Sequence, residues 1–575
     1  MWGHYILKSN YDAFRVKLRK RTASDVSIAK GKGAVASVSR QASAVGIKVL
    51  KDGGNAFDAA FALAFALTVY HPQAGNIGGG GYVVFKERGR DKPRIINYRE
   101  KSPSGAKRGF YLKPDGSVDP DLTAFGPGSV CVPGTVKAFY ELQKNRGVLK
   151  AQDLLEYISR LAIEGTRLNQ YQVQCLNRLS SKLSVSPESK RNYVKKEGYF
   201  QSGDIVRNPN LSRTLATLAR EGERSFYEGS IAEQIEKDIT GNGGFLTVED
   251  LKRYAVREVQ PLFSEVSGKK VWAVPPEGGG AVLIEILNIL NRDRFFEIEP
   301  FTPGFYHFLA QACKRAFVDR CYYLGDIPLN RNKIYKSIFE KDYTDRIFSA
   351  INSRKDIKTC DLVSLIHPDE NCAPDLERPV RGGNETTHFS IIDREGNAVS
   401  NSYSLNLRYG SKWSVDGAGF LLNGSIDAFA FSPGKPNYFG VVGNEPNLFD
   451  ADKRPVSYMS PVIVTDGGGV EMIIGTPGGP AIPSTIALLI LTVLGHNRYP
   501  PEAVSRARIH HQAWPDILYK EKDTESEAAF KSLLKMGYDI KAKDEPIGDI
   551  HGIFAHDGEY CAVSDFRREG CAIAY

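Results

Sequence analysis

The stretch Asn384-Glu385-Thr386-Thr387-His388-Phe389-Ser390-Ile391-Ile392-Asp393 places two adjacent threonines directly before a short apolar run of strand character. The turn Arg394-Glu395-Gly396-Asn397 and a second strand-like run, Ala398 to Leu405, complete a hairpin pattern. A Thr-Thr pair at this place is also an ordinary β-branched strand start. It acquires chemistry if the chain is cut just before it. The freed α-amine then sits beside its own hydroxyl, and one residue holds both nucleophile and base.

Two glycine-rich segments flank this hairpin at a distance. Upstream lies Gly75-Asn76-Ile77-Gly78-Gly79-Gly80-Gly81, downstream Gly475-Thr476-Pro477-Gly478-Gly479. The first follows a helical run and opens the strand Tyr82–Phe85. A dinucleotide fingerprint has the opposite order, and no Gly-Lys-Ser/Thr is present, so the glycines are expected to let backbones approach closely. Pro276-Glu277-Gly278-Gly279-Gly280 has the strand-to-helix order of a phosphate loop, between Val271–Val274 and a helix from Ala281, but lacks the lysine.

Together these motifs resemble the γ-glutamyltransferase (γ-glutamyltranspeptidase) family, from about Lys32 to Tyr575. The resemblance implies an N-terminal-nucleophile hydrolase, α/β (α+β) in class, folded as a four-layer αββα sandwich. It implies self-cleavage between Glu385 and Thr386, giving a large chain over 33–385 and a small chain over 386–575 that share one interleaved domain. Residues 1–32 would be a basic extension. Thr386 matches the family's nucleophile, and Ser404 stands where a threonine commonly bonds it. Gly478 and Gly479 match the pair whose N–H groups form the oxyanion hole. Asn406 matches a substrate-contacting asparagine, and Arg99 the arginine that grips the substrate's α-carboxylate. An arginine suits that task because it can bind a planar carboxylate with two parallel hydrogen bonds. An ion pair with Glu100 is the plainer reading of Arg99.

The chain also departs from the family. Its γ-glutamyl enzymes hold the α-ammonium with an acid or amide at position 425 and an aspartate at 428. Here Ser425 and Ala428 stand there, with Asp427 between them. Two family serines beside the carboxylate are Ser457 and Tyr458 here. A buried ammonium without its carboxylate is costly. The acyl-transfer machinery therefore reads as complete and the amine reader as altered. The expected activity is amide hydrolysis or acyl transfer on γ-glutamyl (glutathione-type) or related carboxylate-bearing small amides and peptides. Alternatives are acyl groups lacking an α-amine, in a glutaryl/cephalosporin-acylase-like or oxamate-amidase-like enzyme, and an unprocessed, inert binding protein.

Composition is that of a globular protein, with 25% charged and 10% aromatic residues, which excludes a disordered or low-complexity chain. The first 32 residues carry eight Lys/Arg against Asp12 and Asp25, a net +6 of the chain's +8. The remainder is close to neutral, so no nucleic-acid stripe is expected. The run Ala59–Val69 is too short to span a bilayer and reads as a buried helix. Tyr5-Ile6-Leu7 is interrupted by Lys8, so no secretory signal is read and a cytoplasmic location is expected. The eight cysteines form no CxxC pair. They argue against a zinc site and are expected mostly as free thiols. No cofactor or metal is expected. His388, His510 and His511 are read as structural, the latter two in a helix-like run before Trp514-Pro515, since no G-x-S-x-G elbow accompanies them. The middle of the chain, 151–377, is expected to be mostly helical, with a surface loop over 357–381 leading to Glu385.

Overall fold

The computed structural model describes residues 26–326, 337–366, 385–522 and 526–575. Two seven-stranded antiparallel sheets organise them. The first runs Cys571–Ala574, Ala34–Ser37, Thr386–Ile392, Ala398–Ser404, Gly80–Lys86, Arg94–Asn97, Arg257–Val259. The second runs Ser27–Gly31, Glu559–Ser564, His551–His556, Gly469–Gly475, Val462–Asp466, Lys269–Ala273, Leu262–Val266. Each sheet draws strands from both sides of the Glu385–Thr386 bond.

The strand period of two places successive side chains in different layers. Ala34, Ala36, Val84 and Ile392 face inward onto Ile463, Ile473, Ile553 and Ala562 of the other sheet. Their neighbours Val35, Val83, Phe85, Phe389 and Ile391 face outward into a helical layer. Helices Arg40–Lys51, Ala56–Tyr70, Thr135–Arg146 and Ala151–Glu164 build that layer. On the opposite outer face Val462, Val464, Met472 and Ile474 pack against Gly280–Leu290, Pro303–Tyr323 and Ile482–Ile490. The result is the four-layer αββα sandwich.

Helix Ala56–Tyr70 is apolar nearly all round because it is enclosed by its layer. A capping box starts it: the Asn55 side chain accepts from the Asp58 amide, and the Asp58 carboxylate accepts from the Asn55 amide.

Several sequence expectations change. His510 lies in a short strand, Ile509–His510, not in a helix. Tertiary pairing with Leu518–Glu521 decides its state, which local pattern does not reveal. Ser27–Gly31, placed by the sequence in the basic extension, is an edge strand paired with Glu559–Ser564; residues 1–25 lie outside the described residues. The segment read as a loop over 357–381 contains helix Thr359–Ile366, and 367–384 lies outside the description. Cys360 is disulfide-bonded, whereas Cys131, Cys175, Cys313, Cys321, Cys561 and Cys571 are free and buried.

Candidate active site

Thr386 opens the third strand of the first sheet. It pairs with Ser404 across the hairpin. On its other side, Ala34–Ser37 reaches only as far as Phe389, so the first turn of ladder around Thr386 is left open toward the cleft. Glycines permit this geometry. A Cβ at Gly79 would stand 2.3 Å from the Ser404 carbonyl oxygen, and one at Gly81 2.2 Å from that of Ser402. The glycine run thus brings its strand against the hairpin, as expected from sequence. At Gly278–Gly280 the same holds: the Gly279 amide donates to Met459 O at 3.0 Å, and a Cβ there would meet the Tyr458 carbonyl oxygen at 2.2 Å. That loop packs against backbone.

The second sheet supplies the facing loop. A Cβ at Gly475 would lie 2.2 Å from the His388 ring, so glycine lets this strand end pass close over the first sheet. The chain then turns at Gly478, φ +145°, and Gly479, φ +56°, both values that side-chain-bearing residues rarely adopt. Among the described residues neither amide N–H of this pair donates to another group, and Gly479 lines the cleft. His388 sits beneath, fully buried between Ser402 Oγ at 2.8 Å and Ser390 Oγ at 3.0 Å. Burial first, and the neighbouring His551 second, push its pKa well below the usual imidazole value, so it stays neutral. Its role is structural, as is that of His510, held between Ser484 and Gln512.

The carbonyl and the side chain of Glu385 are both held. Ser404 Oγ donates to Glu385 O at 2.6 Å and accepts from the Asn406 amide at 2.8 Å. The Glu385 side chain is clamped: Arg408 Nε donates to Oε1 at 2.7 Å, the Tyr171 hydroxyl at 2.5 Å, and Arg568 Nη1 to Oε2 at 3.3 Å. Burial pushes this carboxyl up, but the Arg408 and Arg568 cations and the Tyr171 hydroxyl outweigh it, and its pKa falls to about 2. The residue before the bond is therefore an anion locked in place. Attack of the Thr386 hydroxyl on the Glu385 carbonyl carbon would place negative charge on Glu385 O, where the Ser404 hydroxyl already points. Collapse to an ester frees the Thr386 nitrogen as an amine, and water then opens the ester. An α-amine, with an ordinary pKa near 8, is a competent base for the adjacent hydroxyl.

A cleft opens beside Thr386. Among the sequence candidates it is lined by Arg99, Glu385, Thr386, Ser404, Asn406, Ser457, Tyr458 and Gly479. Asn406 takes φ +71° and anchors its Nδ2 on Gly424 O at 2.9 Å. Arg99 is buried; Nη1 donates to Glu100 at 2.5 Å and Nε to Pro455 O at 3.4 Å. The ion pair of the plainer reading is thus real, and it fixes Arg99 at the cleft wall. Ser425 stands behind that pair, donating to Glu100 Oε1 at 2.9 Å. Asp427 accepts from Thr123 Oγ1 at 3.2 Å and does not line the cleft, whereas Ala428 does. Asn437, Phe439, Val456, Met459 and Ile482 complete the wall. Sequence reading missed these, along with the clamp of Tyr171, Arg408 and Arg568. Arg408, two residues past Asn406 in the same loop, was the available signal.

A gamma-glutamyltranspeptidase family model matches residues 42–575. The chain is 34% identical over 546 residues to the glutathione hydrolase proenzyme of Pseudomonas aeruginosa, covering 94% of each chain. The Helicobacter pylori gamma-glutamyltranspeptidase structure is 33% identical with TM-score 0.53, over 58% of this chain and 96% of that one. A cephalosporin acylase from Bacillus halodurans shares the fold at TM-score 0.81 and 23% identity, over 98% of this chain and 99% of the other. The chain belongs to the gamma-glutamyltranspeptidase family of N-terminal-nucleophile hydrolases.

Proposed function

We propose that this protein is a self-processing N-terminal-threonine amidohydrolase and acyltransferase. It cleaves itself between Glu385 and Thr386. The new Thr386 amine then takes the hydroxyl proton as the oxygen attacks a γ-glutamyl or related carboxylate-bearing amide. The amide N–H groups of Gly478 and Gly479 receive the oxyanion, the amine leaves, and water or a second amine releases the acyl group. Arg99 grips the acyl carboxylate. The observation that carries this reading is the convergence of Thr386, the Ser404 hydroxyl on the Glu385 carbonyl, and the Gly478–Gly479 turn beside one cleft.

Intact mass of the purified protein beside its Thr386→Ala variant tests it. Two fragments meeting at Glu385/Thr386 in the parent, and one uncut chain in the variant, are expected. An uncut parent after long incubation would overturn the reading in favour of an inert binding protein.

One observation favours a narrower substrate class. Among the described residues, Glu385 contributes the one carboxylate side chain of the cleft wall, and it is held by Arg408 and Arg568. A γ-glutamyl ammonium would find no anion there, whereas an acyl group without the amine loses nothing.

A further inference from the structure

The loop Pro276-Glu277-Gly278-Gly279-Gly280 is wired to two separate stretches of the cleft wall. Glu277 Oε1 accepts from Asn97 Nδ2 at 3.0 Å. The Oδ1 of the same Asn97 accepts from the Arg99 amide N–H at 3.0 Å. On the other side of the loop, the Ser457 amide N–H donates to Glu277 O at 2.8 Å, and the Gly279 amide donates to Met459 O at 3.0 Å. Arg99, Ser457 and Met459 line the cleft, whereas Glu277 and Asn97 stand behind it.

The relay through Asn97 has one favourable orientation. An asparagine side chain donates at one end and accepts at the other, and Asn97 is fully buried. The Arg99 N–H can only donate, so Oδ1 must face it, and Nδ2 then points to the Glu277 carboxyl. Turning the amide over would set donor against donor at Arg99. Without an acceptor at position 277, Nδ2 would become a buried donor lacking a partner, which is costly. The Arg99 carbonyl is held as well, accepting from the Tyr254 hydroxyl at 2.9 Å. The backbone of Arg99 is thus fixed at both ends, and one of the two fixings runs through Glu277. A guanidinium that grips a planar carboxylate with two parallel bonds is sensitive to small displacements of this kind.

We propose that Glu277 is a positioning residue for substrate binding: through Asn97 it sets Arg99, and through its own carbonyl the Ser457 side of the cleft, so that it acts on the carboxylate end of the acyl group and not on Thr386. The assignment rests on the reading of Arg99 as the group that grips the acyl carboxylate, and is tested separately from the nucleophile.

The experiment measures kcat and KM for the parent, Glu277→Leu and Glu277→Gln, once intact mass has shown all three to be cleaved at Thr386. The substrates are whichever of γ-glutamyl and glutaryl p-nitroanilide the parent turns over faster, and butyryl p-nitroanilide, which lacks the distal carboxylate. Glu277→Leu is expected to raise KM about tenfold on the carboxylate-bearing anilide, with kcat there and both constants on butyryl anilide changed by less than about threefold. Glu277→Gln, whose Oε1 can still accept from Asn97 Nδ2, should stay within about threefold of the parent on both substrates. An unchanged KM in Glu277→Leu, an equal loss on both anilides, or an equal loss in the Leu and Gln variants would overturn this assignment alone. Should Glu277→Leu fail to fold, Asn97→Ala breaks the same relay from its other end, and a cleaved Asn97→Ala enzyme without the selective rise in KM would overturn it equally. A cleaved parent that does not favour the carboxylate-bearing anilide over butyryl anilide would overturn the role of Arg99 and this assignment together. Absence of self-cleavage in the parent would overturn the nucleophile reading and, with it, this assignment.

Discussion

The two ends of the cleft are built in different ways. Around Thr386 the groups that would do chemistry are set by backbone: a strand start, the cross-strand residue Ser404, and a turn at Gly478–Gly479 with positive φ. Elsewhere the wall is made by side chains such as Tyr458 and Ala428, and the Tyr458 ring is backed by Phe317 and Arg320 from a distant helix. Backbone geometry ties the reacting end to the fold itself. The side-chain wall can change without disturbing the sheets, so substrate choice can drift while the reaction is kept.

The largest effect should follow from disturbing the turn. Gly478→Ala puts a Cβ on a residue at φ +145°, where the chain must shift and carry an oxyanion-hole donor with it. We expect kcat on an anilide substrate to fall about 100-fold or more, with the fold retained as judged by thermal unfolding. A fall under threefold would mean that this amide does not meet the oxyanion.

The clamp on Glu385 should appear in stability. In the uncut Thr386→Ala chain, the Glu385 carboxyl has its pKa lowered from 4.5 to about 2. The folded pKa is depressed, so the contribution is whole above about pH 4.5 and is lost as pH falls toward 2, amounting to about 3 kcal/mol. Glu385→Gln in the same background should be destabilised by about 3 kcal/mol at pH 7, because two buried arginines lose their anion. The gap between the two chains' denaturant midpoints should close as pH drops. A gap that persists at pH 2 would place the cost in packing instead of charge. Ser404→Ala should be milder, slowing self-cleavage about 10-fold in a mass time course, with Ser404→Thr close to the parent.

Legibility in the sequence followed the same division. The strand Thr386–Ile392, its partner Ala398–Ser404 and the Gly475–Gly479 turn were readable because short β-branched, apolar runs and glycine report backbone directly, while the turn's role came from the family resemblance. The edge strand Ser27–Gly31 escaped because its burial alternates weakly and Lys30 points outward among other basic residues. Arg408 and Arg568 escaped because a charged residue in a loop reads as solvated until the fold brings it to Glu385. Phe317 and Arg320 were hidden inside a 21-residue helix buried over most of its length. There, no helical stripe distinguishes a residue behind the cleft from one in the core.

The smallest predicted effect tests whether the far wall is as separable as this division implies. Ala428 lines the cleft at 6% exposed, and its carbonyl is anchored by Asn447 Nδ2 at 2.9 Å. Ala428→Asp therefore adds a carboxylate at the wall without removing an existing side-chain bond. The new anion must lose water, a cost that the Arg99 cation in the same wall partly offsets. It would attract an α-ammonium and repel a lone distal carboxylate. The ratio of kcat/KM for γ-glutamyl over glutaryl anilide should rise about 10-fold, while absolute rates fall on glutaryl anilide and self-cleavage is unchanged. If the ratio stays put and self-cleavage slows, position 428 acts through the nucleophile end, and the two halves of the site are coupled.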